Sequence, residues 1–147
     1  MPYSALVMSD PAHPNTMDDR SFLAAFAACS LEPFGHRQHL RVIWLLLGQH
    51  PLAIAIDRCC TGLAAYVAHL GVPERYHETL TWAYALLVHE RRAALPEGHR
   101  FADFEAACPQ LFADGLGEVR RYYSQAVLDS AEARARFVLP DRLELDA

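Results

Sequence analysis

The sequence predicts an all-α domain: a helical bundle of about four main helices followed by shorter C-terminal helices. Three observations predict it. Apolar residues recur at three- and four-residue spacing over long segments. Period-two alternation is nearly absent, which argues against strands. Proline and glycine punctuate the chain between the periodic segments.

Residues 1–16 contain Pro2, Pro11 and Pro14 among small polar residues and read as an extended arm, with residues 17–147 as a single helical domain. Thr16-Met17-Asp18-Asp19 resembles a helix start with an acidic first turn. The first helix, near 18–31, carries Phe22, Leu23, Phe26 and Ala27, and Pro33 stops it. A second, near 35–48, places Leu40, Ile43 and Leu47 on one side. Pro51 suits the first turn of a third, near 51–70, whose stripe runs Leu52, Ile56, Cys59, Leu63, Val67 and Leu70 before Gly71 and Pro73. The fourth, near 74–95, uses Tyr76, Leu80, Ala83 and Leu87. After the loop Pro96-Glu97-Gly98, shorter helices are expected near 101–107, 117–123 and 131–138, and the tail from Leu139 to Leu143 is irregular.

The chain has 147 residues, 52% of them hydrophobic, which suffices for one buried core. Its net charge of −5 and the lack of a basic stripe speak against a nucleic-acid partner. All 13 cationic side chains are arginine, so a lysine Schiff base, a P-loop lysine and a catalytic lysine base are excluded. No P-loop, dinucleotide-binding or nucleophile-elbow pattern is present. The four cysteines, Cys29, Cys59, Cys60 and Cys108, form no C-x-x-C pair and read as buried free thiols, which fits a cytoplasmic protein. The N-terminus shows no basic segment leading into an apolar run, so no signal peptide is expected, and the densest apolar run, Val42 to Leu47, is too short to cross a bilayer.

Histidine placement carries the functional signal. His36 and His39 are three residues apart and share a helix face that continues into the core stripe. His77 and Glu78 open the fourth helix, and Thr81 lies one turn beyond His77. Imidazoles suit metal binding and proton transfer near neutral pH. His36, His39 and His77 are therefore expected to meet in one pocket, as ligands of a divalent transition metal (Zn, Fe or Cu) or as acid–base groups. Glu78 and His77 are the candidate catalytic pair, with Glu78 a base, a fourth ligand or a partner fixing an imidazole tautomer. The plainer alternative makes His36 a helix-end residue, His39 a satisfied core histidine and His77-Glu78 an ordinary first turn. The H-E-x-x-H pattern is absent, since Thr81 stands where its second histidine would be.

Trp44, Thr81, Trp82, Arg121 and Tyr122 are candidate substrate-binding residues. The tryptophans equally suit the core, and Arg120-Arg121-Tyr122-Tyr123 equally suits an amphipathic helix that docks its tyrosines. Arg91-Arg92 reads as a solvated helix end matched to the helix dipole.

Phe34-x-His36-x-x-His39-Leu40-Arg41, Tyr76-His77-Glu78-Thr79-Leu80-Thr81, Arg121-Tyr122-Tyr123-Ser124 and Arg136-Phe137-Val138-x-Pro140-Asp141 together resemble a family of short, uncharacterised bacterial helical proteins. The resemblance spans Phe34 to Leu143. It implies a single helical unit in which the two histidine segments and the Arg121-Tyr122-Tyr123 segment meet, and it implies no particular activity.

These readings lead to three expectations. The first is a small metal- or His/Glu-dependent hydrolase, lyase or isomerase acting on a small organic molecule. The second is a non-catalytic module that binds a metal or small ligand. The third is an interaction protein whose apolar helix faces pair in a homodimer. No membrane partner is expected.

Overall fold

The computed structural model describes residues 13–142, and these are helical with no strand among them. We label the α-helices in chain order: α1 (Asp19–Ala27), α2 (His36–Gln49), α3 (Leu52–His69), α4 (Glu78–Ala94), α5 (Phe101–Ala107), α6 (Pro109–Ala113), α7 (Gly115–Arg120), α8 (Gln125–Leu128) and α9 (Ala131–Ala135). No helix among the described residues is long and apolar enough to cross a membrane.

The helix ends follow from identifiable caps. Asp18 accepts the Ser21 N–H at 2.7 Å and starts α1. That helix stops four residues earlier than the sequence suggests, well before Pro33. Cys29 adopts φ 56°, and the Ser30 N–H reaches back to the Ala25 carbonyl while the Cys29 N–H reaches that of Phe26. This is the six-to-one, five-to-two closure that glycine normally provides, with cysteine in the left-handed position. Gly71 supplies the same closure at the end of α3, with φ 78° and bonds to Ala68 and Val67.

The fourth long helix starts at Glu78 instead of Glu74. Pro73–Arg75 forms a separate 3-10 turn, and Tyr76 and His77 are extended. It ends at Ala94, because Leu95 precedes Pro96 and is held extended.

Two short helices, α6 and α8, were not legible in the sequence. Asp114 caps α7 by accepting the Gly117 N–H at 2.9 Å, so that helix begins two residues before the expected position. The last helix is shorter than expected because the strip after it is drawn onto α4. Thr79 donates its hydroxyl to the Arg136 carbonyl at 2.8 Å and accepts the Val138 N–H at 3.2 Å. Tyr123 donates to the Val138 carbonyl at 2.6 Å.

Residues 1–12 of the expected arm, and Leu143 in the tail, lie outside the described residues. Residues 14–16 form a 3-10 turn with Pro14 buried, so this end of the arm is packed onto the domain. The packing device is Arg41. It donates to the carbonyls of Pro14 and Met17, both at 2.8 Å, pairs with Asp19 at 3.1 Å, and lies 4.2 Å over the Phe22 ring. Four groups thus satisfy the guanidinium of a residue that is only 7% exposed.

The helices α2, α3 and α4 pack against one another, and α1 packs on α2 and α3. Contacts fix their directions. Phe34 stacks on Tyr66 at 4.5 Å and His39 faces Cys59, so the α2 and α3 segments run antiparallel. His36 meets Tyr84 while Arg92 lies over Trp44, so α2 and α4 run parallel, as the length of the connecting third helix allows. The core holds Phe22, Leu40, Ile43, Cys59, Tyr66, Val88 and Phe104. Among the short helices, α5 packs on α2 and α7 and α9 pack on α4, while α6 packs between α5 and α7 and α8 packs on α9.

Candidate functional site

The parallel run of α2 and α4 decides which histidines can meet. The N-terminus of α2 is level with Tyr84, not with the N-terminus of α4. His77 stands seven residues before Tyr84, about 10 Å further along α4 at a rise of about 1.5 Å per residue. His36 and His39 therefore gather at Tyr84, with ring centroids 5.3 and 5.7 Å from it and edge-on geometry, while His77 serves another purpose.

His77 is the N-cap of α4. Its Nδ1 accepts the Leu80 N–H at 3.0 Å, and its Nε2 lies 2.7 Å from the Leu128 carbonyl on α8. Nε2 therefore carries the proton and Nδ1 spends its lone pair on the cap. Neither nitrogen is left to bind a metal, so the expected three-imidazole set does not fit this arrangement. Among the described residues, no three His, Cys, Asp or Glu side chains are grouped to hold a metal ion.

Glu78 is also engaged. It accepts from the Tyr76 hydroxyl in a short hydrogen bond and from Trp82 Nε1 at 3.2 Å. Cys60 lies in the same cluster, where burial is the main cause pushing its thiol up to about 11. Burial, followed by the bond to Glu78, raises the Tyr76 phenol well above its ordinary range. Trp82 stacks on Phe137 at 4.5 Å, tying this cluster to the C-terminal strip.

The His36–His39–Tyr84 cluster is differently built. The His36 Nε2 lies 2.8 Å from the Leu111 carbonyl, which fixes the proton there and leaves Nδ1 with a lone pair. His39 Nε2 faces the Cys59 thiol at 3.9 Å. Burial first, and then the neighbouring His36, lowers the His39 imidazole to about 4. Burial raises Cys59 far above a free thiol, so this pair stays thiol and neutral imidazole and does not become thiolate and imidazolium. Tyr84 is pushed up to about 12, mainly by burial and then by Asp114, against the pull of Arg120.

Three polar atoms in this cluster carry no hydrogen bond to another described residue: His36 Nδ1, His39 Nδ1 and the Tyr84 hydroxyl. Among the described residues every fully buried side-chain N or O atom has a partner. The three atoms therefore reach solvent-accessible space, and they are free to engage a bound molecule. Gly115 makes the room. A Cβ there would come within 2.5 Å of the His36 ring and 2.9 Å of Tyr84.

The remaining sequence candidates are spread over other regions. Thr81 is buried and returns its hydroxyl to the His77 carbonyl at 2.8 Å. Trp44 is buried, stacks on Phe104 at 4.9 Å and sits under Arg92. Arg121 reaches Glu118 at 3.3 Å and lies 5.8 Å from the Tyr122 ring. Tyr122 lines an apolar cavity of about 340 Å³ with Leu86, Phe137 and Leu139.

Sequence reasoning missed Tyr84 and Arg92. Tyr84 is four residues after Leu80 and eight after Tyr76, so stripe spacing could have pointed to it. Arg92 is not a solvated helix end. It is half-buried, donates to the Trp44 carbonyl at 3.0 Å and lies 4.0 Å over the Trp44 ring.

Compared with family models, curated proteins and solved structures, the chain finds no match.

Proposed function

We infer that the protein is a small enzyme that moves a proton on a small organic molecule at the His36–His39–Tyr84 cluster. The supporting observation is the grouping of the His36, His39 and Tyr84 rings, each of which keeps a polar atom without a partner among the described residues in an otherwise satisfied interior. Their protonation states are complementary. His36 Nδ1 holds a lone pair while its other nitrogen is anchored, the arrangement of a general base. His39 stays neutral through the physiological range, and we assign the protonated Cys59 thiol as donor to its Nε2, the tautomer in which Nδ1 presents its N–H. Tyr84 keeps its phenolic proton.

One base grouped with two neutral donors suits abstraction of a proton next to a carbonyl while the donors hold the developing oxyanion. Isomerase or lyase chemistry is favoured over nucleophilic hydrolysis, because both buried thiols are held protonated. Four free cysteines fit a cytoplasmic setting, and the main helices serve as the scaffold of a bundle.

Solvent-deuterium exchange tests this reading. A panel of small enolisable ketones and keto acids, followed by proton NMR in D₂O, should contain at least one substrate that exchanges faster with the protein. His36→Gln should abolish the acceleration, and Tyr84→Phe should reduce it at least tenfold. Absence of exchange across the panel, or undiminished exchange in His36→Gln, overturns it. A stoichiometric divalent metal that is lost in both His36→Ala and His39→Ala would instead make the imidazole pair a metal site.

A further inference from the structure

We propose that the cleft beside Trp44 and Arg92 binds a small phosphorylated organic molecule through its phosphate group. Two cavities, of about 430 and 750 Å³, share Trp44, Arg92 and His99 as wall residues. Both volumes fall in the range of small-molecule sites, roughly 300–1,000 Å³.

The unusual member is Arg92. A guanidinium offers five N–H donors, and a half-buried one is ordinarily matched by a carboxylate or several carbonyls. Arg92 spends one donor on the Trp44 carbonyl at 3.0 Å and has no carboxylate partner among the described residues. Its position is built. The guanidinium lies 4.0 Å over the Trp44 ring, and Gly48 keeps the space clear, since a Cβ there would be 3.1 Å from Nη2.

The other arginines of the larger cavity divide into two kinds. Arg37 is held by Glu105 at 2.9 Å and Arg41 by Asp19 at 3.1 Å. The Arg100 side chain has no hydrogen bond or ion pair to another described residue. His99 completes the set. Its Nδ1 is fixed 2.8 Å from the Pro96 carbonyl by a turn in which Gly98 has φ 86°, and this leaves Nε2 free.

A cation stacked on an aromatic ring to close a helix end is the plain reading of Arg92 alone. It does not account for a second unpaired arginine and a tethered imidazole on the same cavity wall. Two guanidiniums without a carboxylate partner among the described residues, from separate elements, match the charge of a phosphate dianion, and their N–H forks, approaching from different directions, match its tetrahedral oxygens better than they match a planar carboxylate. Four arginines, Arg37, Arg41, Arg92 and Arg100, line the larger cavity against Asp18 and Asp19, so it keeps a positive excess. Glu97 lines the smaller cavity. The phosphate therefore sits toward Arg100, and the organic body reaches past Trp44 into the smaller space.

Calorimetric titration of the whole chain at low salt with phenyl phosphate, inorganic phosphate and benzoate tests the site. Saturable one-to-one binding of phenyl phosphate is expected, at least tenfold tighter than benzoate and tighter than inorganic phosphate. Arg92→Gln and Arg100→Gln should each weaken it at least tenfold, and Arg58→Gln, an exposed change on α3, should leave it unaltered. Should Arg92→Gln fail to fold, the exposed Arg100→Gln decides. Lack of saturable binding, equal loss in Arg58→Gln, or benzoate binding as tightly as phenyl phosphate overturns the phosphate site. Inorganic phosphate binding as tightly as the ester overturns the organic body.

Discussion

His77 joins the first turn of α4 to Leu128, 51 residues further along the chain, through a 2.7 Å bond from Nε2 to the Leu128 carbonyl. The same ring accepts the Leu80 N–H, so one buried imidazole caps a helix and fastens the C-terminal cover to it. His77→Ala removes both bonds. A lost cap costs about 1 kcal/mol, and an orphaned buried carbonyl about 1–3 kcal/mol more. His77→Asn retains a capping group but cannot span to Leu128, so its loss should be smaller. Urea denaturation of both variants gives the order. Unchanged stability in His77→Ala would remove the structural role.

The positions of His36 and His39 were legible because residues three apart on a helix must share a face. The length of the third helix permits the parallel course of the second and fourth long helices, and the contacts of His36 with Tyr84 and of Trp44 with Arg92 fix it. The register of that pair was not legible. It rests on contacts such as Trp44 with Arg92, and it places Tyr84, not His77, opposite His36. Caps set by side chains far away in sequence were equally hidden, as the His77–Leu128 and Thr79–Arg136 bonds show. Arg41 and Arg92 were missed for a related reason. A charged residue in a helical pattern is ordinarily exposed, and only the folded chain brings up the carbonyls and rings that satisfy these two.

Acid should destabilise the protein through His39. Its imidazole falls from 6.5 to about 4 on folding, chiefly through burial. Below the unfolded value the unfolded chain takes up a proton that the folded chain refuses. Stability is therefore full above about pH 6.5 and is lost as the pH falls toward 4. The limit of the effect is roughly 3 kcal/mol, at about 1.4 kcal/mol per pKa unit. Denaturation midpoints measured between pH 7 and 4 should show this slope in the wild type and a flatter one in His39→Gln. Equal slopes would place the titration elsewhere.

Arg41→Lys should behave as a severe substitution. Lysine presents one ammonium where the guanidinium reaches Pro14, Met17 and Asp19 together while lying over Phe22. At least one buried carbonyl is left unpaired, and the expected loss is about 2–4 kcal/mol. Limited proteolysis should cut the segment around residues 13–18 faster in the variant, because Arg41 holds two of its backbone carbonyls, although the Arg37 and Gln38 bonds to Asn15 remain. A variant as resistant as wild type would show that the segment is held by other contacts.

Gly115→Ala probes the candidate site without altering any of its polar groups. The new methyl would lie 2.5 Å from the His36 Cε1 and Nε2 atoms and 2.9 Å from Tyr84, nearer than van der Waals contact permits. The His36 ring must then swing off the Leu111 carbonyl, or α7 must shift away from α2. Forcing a methyl into a filled space costs about 1–3 kcal/mol, so the variant should fold with a lowered midpoint. Once His36 leaves Leu111, the proton is no longer pinned on Nε2 and the lone pair is no longer held on Nδ1. In ¹⁵N NMR, wild-type His36 should be a single Nε2–H tautomer. In Gly115→Ala it should be a tautomeric mixture, and any accelerated deuterium exchange should fall with it. A variant that keeps the wild-type tautomer while losing stability would place the strain in α7 and leave His36 seated on Leu111.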